Sequence, residues 1–136
     1  MKVIKNIQEA VRQYKKACAL QGQAFIEGNF NKANKYFDNA NKCVAFLKEE
    51  NALNELAPLL YEKDENLRLS TATVLLHIDT KRCLEILDDI AHNSQGVNKI
   101  NAEMTISEFK KGHIWIANKL WSYLYFNIIN NEQKKF

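Results

Sequence analysis

The chain contains few of the residues that interrupt helices. Among its 136 residues there are four glycines and one proline, whereas all-β sandwiches and barrels use many of both in their turns. No stretch approaches the roughly 20 apolar residues that span a bilayer, and the first residues lack the apolar core of a signal peptide. Hydrophobic residues make up 46% of the chain, which suffices for one core. We therefore expect a single all-α domain in the cytoplasm.

Cysteine and histidine are also scarce. The three cysteines show no C-x-x-C spacing, which favours buried thiols in a reducing compartment over a disulfide or zinc framework. No histidine stands four residues from another histidine or cysteine, as a zinc site on one helix would need. His77 is expected in the core or at a helix end. Phosphate-loop and hydrolase motifs are missing, so we expect no enzyme, catalytic residue, metal or cofactor. The cysteines are Cys18, Cys43 and Cys83.

Charge is unevenly distributed along the chain. Residues 1–48 carry nine Lys/Arg against three Asp/Glu, residues 49–92 carry four against ten, and residues 93–136 carry six against three. The middle third is therefore acidic, and it offers a docking field for a basic partner. The alternative interpretation is an ordinary solvated helical surface. The basic residues of the first third are scattered around two helices, so we expect no nucleic-acid binding.

The first 50 residues predict a helical hairpin. Apolar residues recur every three or four positions from Ile4 to Phe25, with Gln21 as the polar member of the stripe, as on one face of a long helix. Gly28 and Asn29 supply a helix stop and an N-cap. A second helix is expected from about Phe30 to Glu50, antiparallel to the first because the turn is short. The expected inward residues of the first helix are Ile4, Ile7, Val11, Tyr14, Cys18 and Phe25.

Shorter helices are expected after the hairpin. Residues 52–61 predict a helix in which Pro58 is tolerated only near the first turns. Asp64 or Asn66 is expected to cap the next helix, whose apolar stripe extends to Ile78.

The remaining helices suggest a repeat. Two further helices are expected. The first is capped by Asp79 or Thr80, and the second extends from Val97 to Lys110 and has Ile100 as an apolar contact point. When residues 53–76 are aligned with residues 83–106, 30 positions further along the chain, apolar residues coincide with apolar residues. Two such helix pairs must stack on neighbours to bury their faces, which predicts an α-solenoid.

The stretch from residue 56 to residue 72 resembles a HEAT repeat. That pattern has a leucine-rich first helix, an aspartate in the turn, an aliphatic-arginine pair and a small residue. Asp64 and Arg68 are expected to make the acid-to-guanidinium contact of the turn. In the second copy Ser94 and Asn98 replace these two residues. The matching positions of the first copy are Asp64, Leu67, Arg68 and Ala72.

The order of segments from residue 7 to residue 112 is similar to that of a family of small bacterial HEAT-like proteins of unknown function. In the closing segment, Phe109 stands where the family has tryptophan. The resemblance implies a right-handed α-solenoid of about six to seven helices and a role as an immunity protein or another binding partner, often beside toxin genes. It implies no catalytic residue. The matching motifs are Ala24/Gly28/Asn29, Ala33-Asn34-Lys35, the HEAT-like block and Ala102–Gly112.

Residues 114–129 contain five of the fourteen aromatic residues of the chain. The helix expected at 113–129 is apolar nearly all round, as in a helix that is sandwiched or engaged with another chain. One interpretation is a closing helix that covers the last repeat. The alternatives are a partner or homodimer surface and, with a single lysine in the segment, membrane contact.

These observations predict one domain over residues 1–136: a hairpin (1–50), HEAT-like repeats (51–112), a closing helix (113–129) and a tail (130–136). The expected function is protein binding without turnover, in the form of an immunity protein that occludes a basic toxin domain. The alternatives are a general HEAT-like interaction scaffold and a nucleic-acid-binding or base-repair protein. A monomer or homodimer is expected, without nucleic-acid or membrane partners. The expected contact residues are Glu62, Asp64, Glu65, Asp88, Asp89, Trp115 and Tyr123.

Overall fold

Six helices make up the part of the chain that the structure describes. The structure is a computed structural model, and it describes residues 3–112. No strand occurs among those residues, so the all-α class is confirmed. The closing helix expected at 113–129 lies outside the described residues. The helices are α1 (Ile7–Ile26), α2 (Phe30–Glu49), a 3-10 helix (Leu53–Tyr61), α3 (Glu65–Val74), α4 (Thr80–Asn93) and α5 (Val97–Lys110).

Contacts divide the described part of the chain into two compact units, with the boundary between Cys83 and Leu84. Within the first unit, α1 packs against α2, against α3 and against the 3-10 helix, and the 3-10 helix contacts both α2 and α3. The predicted hairpin is therefore present, and α1 is the helix around which this unit is built. The solenoid and the single domain stay predictions.

The turn between α1 and α2 is a Schellman motif. Gly28 has φ 74°, a left-handed conformation that glycine adopts without a steric penalty. The amide of Asn29 donates to the carbonyl of Ala24 at 2.9 Å, and the amide of Gly28 donates to that of Phe25 at 3.0 Å, which is the bonding pattern of this motif. The Asn29 side chain then accepts from the amide of Lys32 at 3.1 Å and begins α2.

Buried alanines recur at regular spacing on α1 and on α2, the two helices that pack against each other. Ala10, Ala17 and Ala24 are spaced by seven residues, and all three are buried. On α2, Ala33, Ala40 and Leu47 are buried with the same spacing. We call Ala10, Ala17, Ala24, Ala33 and Ala40 the alanine row. Small residues allow two helices to approach to about 8 Å. Of the inward residues that the sequence predicts on α1, Tyr14 and Cys18 are buried, whereas Ile7, Val11 and Phe25 are only half-buried.

The helix expected at residues 52–61 is a 3-10 helix, not an α-helix. Pro58 lies in its middle, where in an α-helix the ring would clash with the carbonyl four residues earlier and the missing amide would leave that carbonyl unpaired. The tighter winding of a 3-10 helix changes this bonding pattern. Leu56, Leu59 and Leu60 are nevertheless buried, so the leucine-rich face was predicted correctly.

The turn before α3 differs from the predicted HEAT-like turn. Asp64 is the N-cap of α3, and its carboxylate accepts from the amide of Leu67 at 3.1 Å. Arg68 does not pair with this carboxylate: its guanidinium donates to the carbonyls of Glu62 and Lys63 at 2.9 and 2.8 Å. The predicted Asp64–Arg68 ion pair is therefore wrong. Both side chains stabilise the same turn, but each binds the backbone.

The apolar stripe of α3 ends earlier than the sequence predicts, and the stripe predicted for α5 is not buried as one face. Because α3 ends at Val74, Ile78 falls in the following turn and is 52% exposed, and His77 is also exposed in that turn. In α5 the buried residues are Asn101, Ala102 and Thr105, whereas Ile100 is 41% exposed. The predicted apolar residues of α5 are spread around the helix, so they do not form one face.

Candidate functional site

Polar side chains meet in the interior between α1 and α3. The hydroxyl of Tyr14 lies 2.8 Å from that of Ser70 and 3.1 Å from that of Thr71. The thiol of Cys18 donates to the Ser70 hydroxyl at 3.5 Å. Every member of this group is buried, so its hydrogen bonds form where water does not compete. We define the polar seam as Tyr14, Cys18 and Gln21 of α1 with Asn66, Ser70 and Thr71 of α3.

Asn66 forms the second half of the polar seam. Its side-chain amide donates to the carbonyl of Cys18 at 2.8 Å and to the side-chain oxygen of Gln21 at 3.0 Å. Gln21, the polar exception in the predicted apolar stripe, is thus explained by a partner 45 residues away in the sequence. Asn66 is therefore not the helix cap that the sequence offered as an alternative to Asp64.

Glycine permits the close approach of α1 and α3 at the polar seam. A Cβ at Gly22 would lie 3.1 Å from the Cβ of Asn66, closer than ordinary van der Waals contact. Asn66 is held by its two hydrogen bonds to α1, so it has little freedom to move away. The seam therefore depends on the small size of residue 22 as well as on hydrogen bonds.

Burial suppresses ionisation in this interior. Desolvation raises the pKa of Cys18 to about 12, and it raises the pKa values of Cys43 and Cys83 to about 11. Burial also raises the pKa of Tyr14 above its ordinary value. A nucleophilic cysteine needs a depressed pKa and access to solvent. The three thiols are neutral near physiological pH, so they act as buried structural groups.

A cleft of about 600 Å3 opens between α1 and α2. Its polar lining on α1 comes from Glu9, Arg12, Gln13 and Lys16, and its apolar lining from Ala17 and Leu20. Tyr36 and Asn39 line it from α2. The volume is within the range of about 300–1,000 Å3 found for small-molecule sites. Ala17 is the member of the alanine row that lines this cleft.

A small hydrogen-bonded group occupies one end of the cleft. Glu9 accepts from the side-chain amide of Gln13 at 2.9 Å through one carboxylate oxygen and forms a salt bridge with Arg12 through the other. The side-chain oxygen of Gln13 is buried and has no hydrogen-bond partner among residues 3–112. None of these residues was predicted as a site. The available signal was the i, i+3 and i, i+4 spacing of Glu9, Arg12 and Gln13.

The three predicted contact residues of the first unit all take part in local structure. Glu62 forms a salt bridge with Lys15 of α1 at 2.8 Å, and its carbonyl accepts from Arg68. Asp64 is exposed but caps α3. Glu65 lies in the first turn of α3, where a carboxylate stabilises the helix dipole. These carboxylates therefore support the turn before α3, and their role in partner binding stays a prediction.

The predicted contact residues Asp88 and Asp89 are exposed on α4. Asp89 accepts from the side-chain amide of Asn93 at 2.7 Å, and the carbonyl of Asp88 lies 2.7 Å from the Nδ1 atom of His92. Among the salt bridges of residues 3–112, neither carboxylate has a cationic partner. Trp115 and Tyr123, the other two predicted contact residues, lie outside the described residues.

Comparisons add no assignment to these observations. The chain matches no protein-family model, no curated protein and no solved structure. Among residues 3–112, no three histidine, cysteine or acidic side chains are grouped as a metal site. No helix in that range combines the length and the apolar character that crossing a membrane requires. The HEAT-like and immunity-protein resemblance stays a prediction from sequence.

Proposed function

We propose that this chain is a non-catalytic protein-binding module whose partner is a basic protein domain. The observation that carries the proposal is a group of exposed carboxylates on α4. Glu85, Asp88 and Asp89 are all exposed, and their i, i+3 and i+4 spacing places them on one side of the helix. We call these three residues the acidic ridge.

The acidic ridge differs from the other carboxylates of the acidic third. Glu62 is paired with Lys15 and Asp64 caps α3, so part of their charge is already used within the fold. No residue of the ridge belongs to a salt bridge among the described residues. Three uncompensated charges on one helical surface produce a field that attracts a basic surface. The ridge is therefore the better candidate for the docking field that the sequence predicts.

The state of the thiols also supports binding over turnover. All three cysteines are buried, and desolvation raises each pKa. A covalent mechanism through any of them would need a thiolate, which this burial disfavours. A surface that acts through exposed charge needs no such group.

The resemblance to small bacterial HEAT-like proteins suggests a narrower form of the proposal. In that form the basic partner is a toxin domain, and the acidic surface occludes its site. A general interaction scaffold is the broader alternative. Both forms use the same contacts, so the identity of the partner separates them, and basic proteins encoded beside this gene are the first partners to test.

The experiment compares two triple variants that remove the same charge. Glu85→Gln/Asp88→Asn/Asp89→Asn neutralises the acidic ridge, whereas Asp38→Asn/Glu49→Gln/Glu50→Gln neutralises three exposed carboxylates of α2 and its C-cap. Association of each variant with the neighbour-encoded basic proteins is measured by surface plasmon resonance at several salt concentrations. The ridge variant should associate about tenfold more slowly at low salt, and the α2 variant should resemble the original protein.

The alternatives predict other results. Equal slowing in both variants would show that only net charge matters, which contradicts a docking role for the ridge. Retention of DNA or RNA near physiological salt, with affinity falling steeply as salt rises, would favour the nucleic-acid alternative. Failure of every basic neighbour-encoded protein to bind would contradict the toxin-neutralising form.

A further inference from the structure

The cleft between α1 and α2 contains polar groups that the fold does not use. The side chains of Lys16, Tyr36 and Asn39 line it, and none of the three takes part in a hydrogen bond or salt bridge among residues 3–112. Convergent unpaired polar groups in a concave site are typical of ligand pockets.

The charge of the cleft favours an anion. Its lining contains two cations, Arg12 and Lys16, and one carboxylate, Glu9. Because Glu9 already pairs with Arg12, the charge of Lys16 is the one left without a counter-ion in the cleft. A carboxylate or phosphate placed beside Lys16 would neutralise it through a charge-assisted hydrogen bond. Arg12, which is largely exposed, has further donors available to the same anion.

Polarity changes along the length of the cleft. The lining of α1 extends from Glu9 to Leu20, which is about 16 Å at 1.5 Å per residue. The Glu9 end is polar, whereas Leu20 marks an apolar end. Leu20 and Tyr36 are each eight residues from the turn at Gly28. Because α1 and α2 are antiparallel, the two residues lie at a similar distance from the turn, and Tyr36 adds an aromatic ring to this end of the cleft. A ligand that fits this arrangement has an anionic group at one end and an apolar body at the other.

We propose that the cleft between α1 and α2 binds a small organic anion, with a carboxylate or phosphate group beside Lys16 and an apolar or aromatic body toward Leu20 and Tyr36. This site shares no residue with the acidic ridge, and the sign of its charge is opposite. The proposal does not depend on the proposed function, because binding in the cleft needs none of the carboxylates of α4.

The test uses phenyl phosphate and phenylacetate as probes of the two anionic groups. Each is titrated into the isotopically labelled full-length protein while backbone amide resonances are followed by NMR. We expect shifts concentrated at residues 9–20 and 36–39, with a Kd on the order of 1 mM for probes of this size. The probe that binds with the lower Kd identifies the preferred anionic group. Inorganic phosphate and benzyl alcohol, which each carry half of the required chemistry, should bind more weakly.

Two single-lysine variants provide the matched control. Lys16→Gln removes the unpaired cation of the cleft, whereas Lys42→Gln removes an exposed lysine of α2 that does not line it. Lys16→Gln should weaken phenyl phosphate binding about fivefold, and Lys42→Gln should leave it unchanged. Circular dichroism verifies that both variants remain folded, as expected for two exposed side chains.

Three results would overturn the proposal. The first is the lack of localised shifts up to about 10 mM probe, a range in which even weak fragments bind. The second is an equal loss of affinity in the two lysine variants, because that would show a diffuse response to charge. The third is binding of benzyl alcohol as tight as that of phenyl phosphate, which would leave no role for the anion.

Discussion

The two sides of α1 are packed by different means. Toward α3, α1 presents Tyr14, Cys18 and Gln21, which form the polar seam through hydrogen bonds of 2.8 to 3.5 Å. Its other buried residues include three alanines, and α2, which packs against α1, buries Ala33 and Ala40. One helix therefore uses directional bonds on one side and close apolar contact on the other.

The difference teaches how register and distance are set in this unit. A hydrogen bond constrains both the position and the angle of its partners, so the polar seam fixes how α3 lies along α1. Alanine contacts are short but non-directional, so we expect the alanine row to determine the distance between α1 and α2. The register of α2 along α1 is then determined by the turn at Gly28. The two sides should consequently respond to opposite kinds of substitution.

The largest loss of stability is expected when a buried polar group of the polar seam loses its hydrogen-bond partner. Asn66→Leu removes both hydrogen bonds of Asn66 and leaves the buried side-chain oxygen of Gln21 without a donor. An unsatisfied buried group costs about 1–3 kcal/mol beyond the lost bonds, so we expect the free energy of unfolding to fall by about 3 kcal/mol. Urea denaturation followed by circular dichroism measures this change.

The double variant Gln21→Leu/Asn66→Leu is the control for that prediction. Replacing both partners by apolar groups of similar size is often nearly neutral, so the double variant should recover at least half of the lost stability. If the double variant were less stable than Asn66→Leu alone, shape at the Gly22 contact would dominate over hydrogen bonding.

The alanine row should instead be sensitive to volume. Ala33→Leu adds three carbon atoms at a position with no exposed surface, and overpacking of this kind costs about 2 kcal/mol. Ala45→Leu makes the same change on the exposed side of α2 and should alter stability by less than about 0.5 kcal/mol. Thermal melts of the two variants provide the measurement. Equal melting temperatures would mean that α2 shifts freely away from α1.

Much of this arrangement could be predicted from the sequence, because it is encoded locally. The positions of α1 and α2, the Gly28 stop and the Asn29 cap depend on residues a few positions apart, and the structure agrees with each. The 3-10 helix is the local exception: the sequence predicts that Pro58 is tolerated near the first turns of a helix, whereas Pro58 lies inside a 3-10 helix of nine residues.

The polar seam could not be predicted, because it depends on residues far apart in the chain. Gln21 was recognised as an exception in its stripe, yet nothing near it in the sequence identifies Asn66 as its partner. Arg68 illustrates the same limit at short range, since a guanidinium reaches backbone carbonyls as readily as a carboxylate. The cleft was missed because its lining alternates in charge and so resembles an ordinary solvated surface.

High pH should weaken the polar seam and leave the alanine row unaffected. The pKa of Cys18 is about 12 in the folded protein, against an ordinary value of 9.0, so the folded state retains a proton that the unfolded chain loses. This stabilisation is fully present below about pH 9 and is lost as the pH rises toward 12. From about pH 8 to about pH 10, Cys18 should lower the free energy of unfolding by about 1.4 kcal/mol.

Urea denaturation at the two pH values tests this contribution. Cys18→Ser retains a donor for Ser70 but does not titrate in this range, so its stability should fall less steeply with pH. A slope identical to that of the original protein would contradict the assignment to Cys18. Cys43 and Cys83, whose pKa values are raised to about 11, should each add an alkaline loss of about the same size, and Tyr14 also has a raised pKa. The variant should therefore still lose stability over this range, by about 1.4 kcal/mol less than the original protein.

The smallest loss of stability is expected for substitutions in the turn that precedes α3. Arg68→Ala removes two hydrogen bonds to the carbonyls of Glu62 and Lys63, and Asp64→Ala removes the N-cap; each should cost about 1 kcal/mol. Because these side chains bind different backbone groups and not one another, the double variant should equal the sum of the two within about 0.5 kcal/mol. If the double variant lost much less stability than that sum, the result would favour the Asp64–Arg68 ion pair predicted from the sequence. Additivity would instead mean that the turn holds α3 at two independent points, so that Asn66 enters the seam from a helix start that is already positioned.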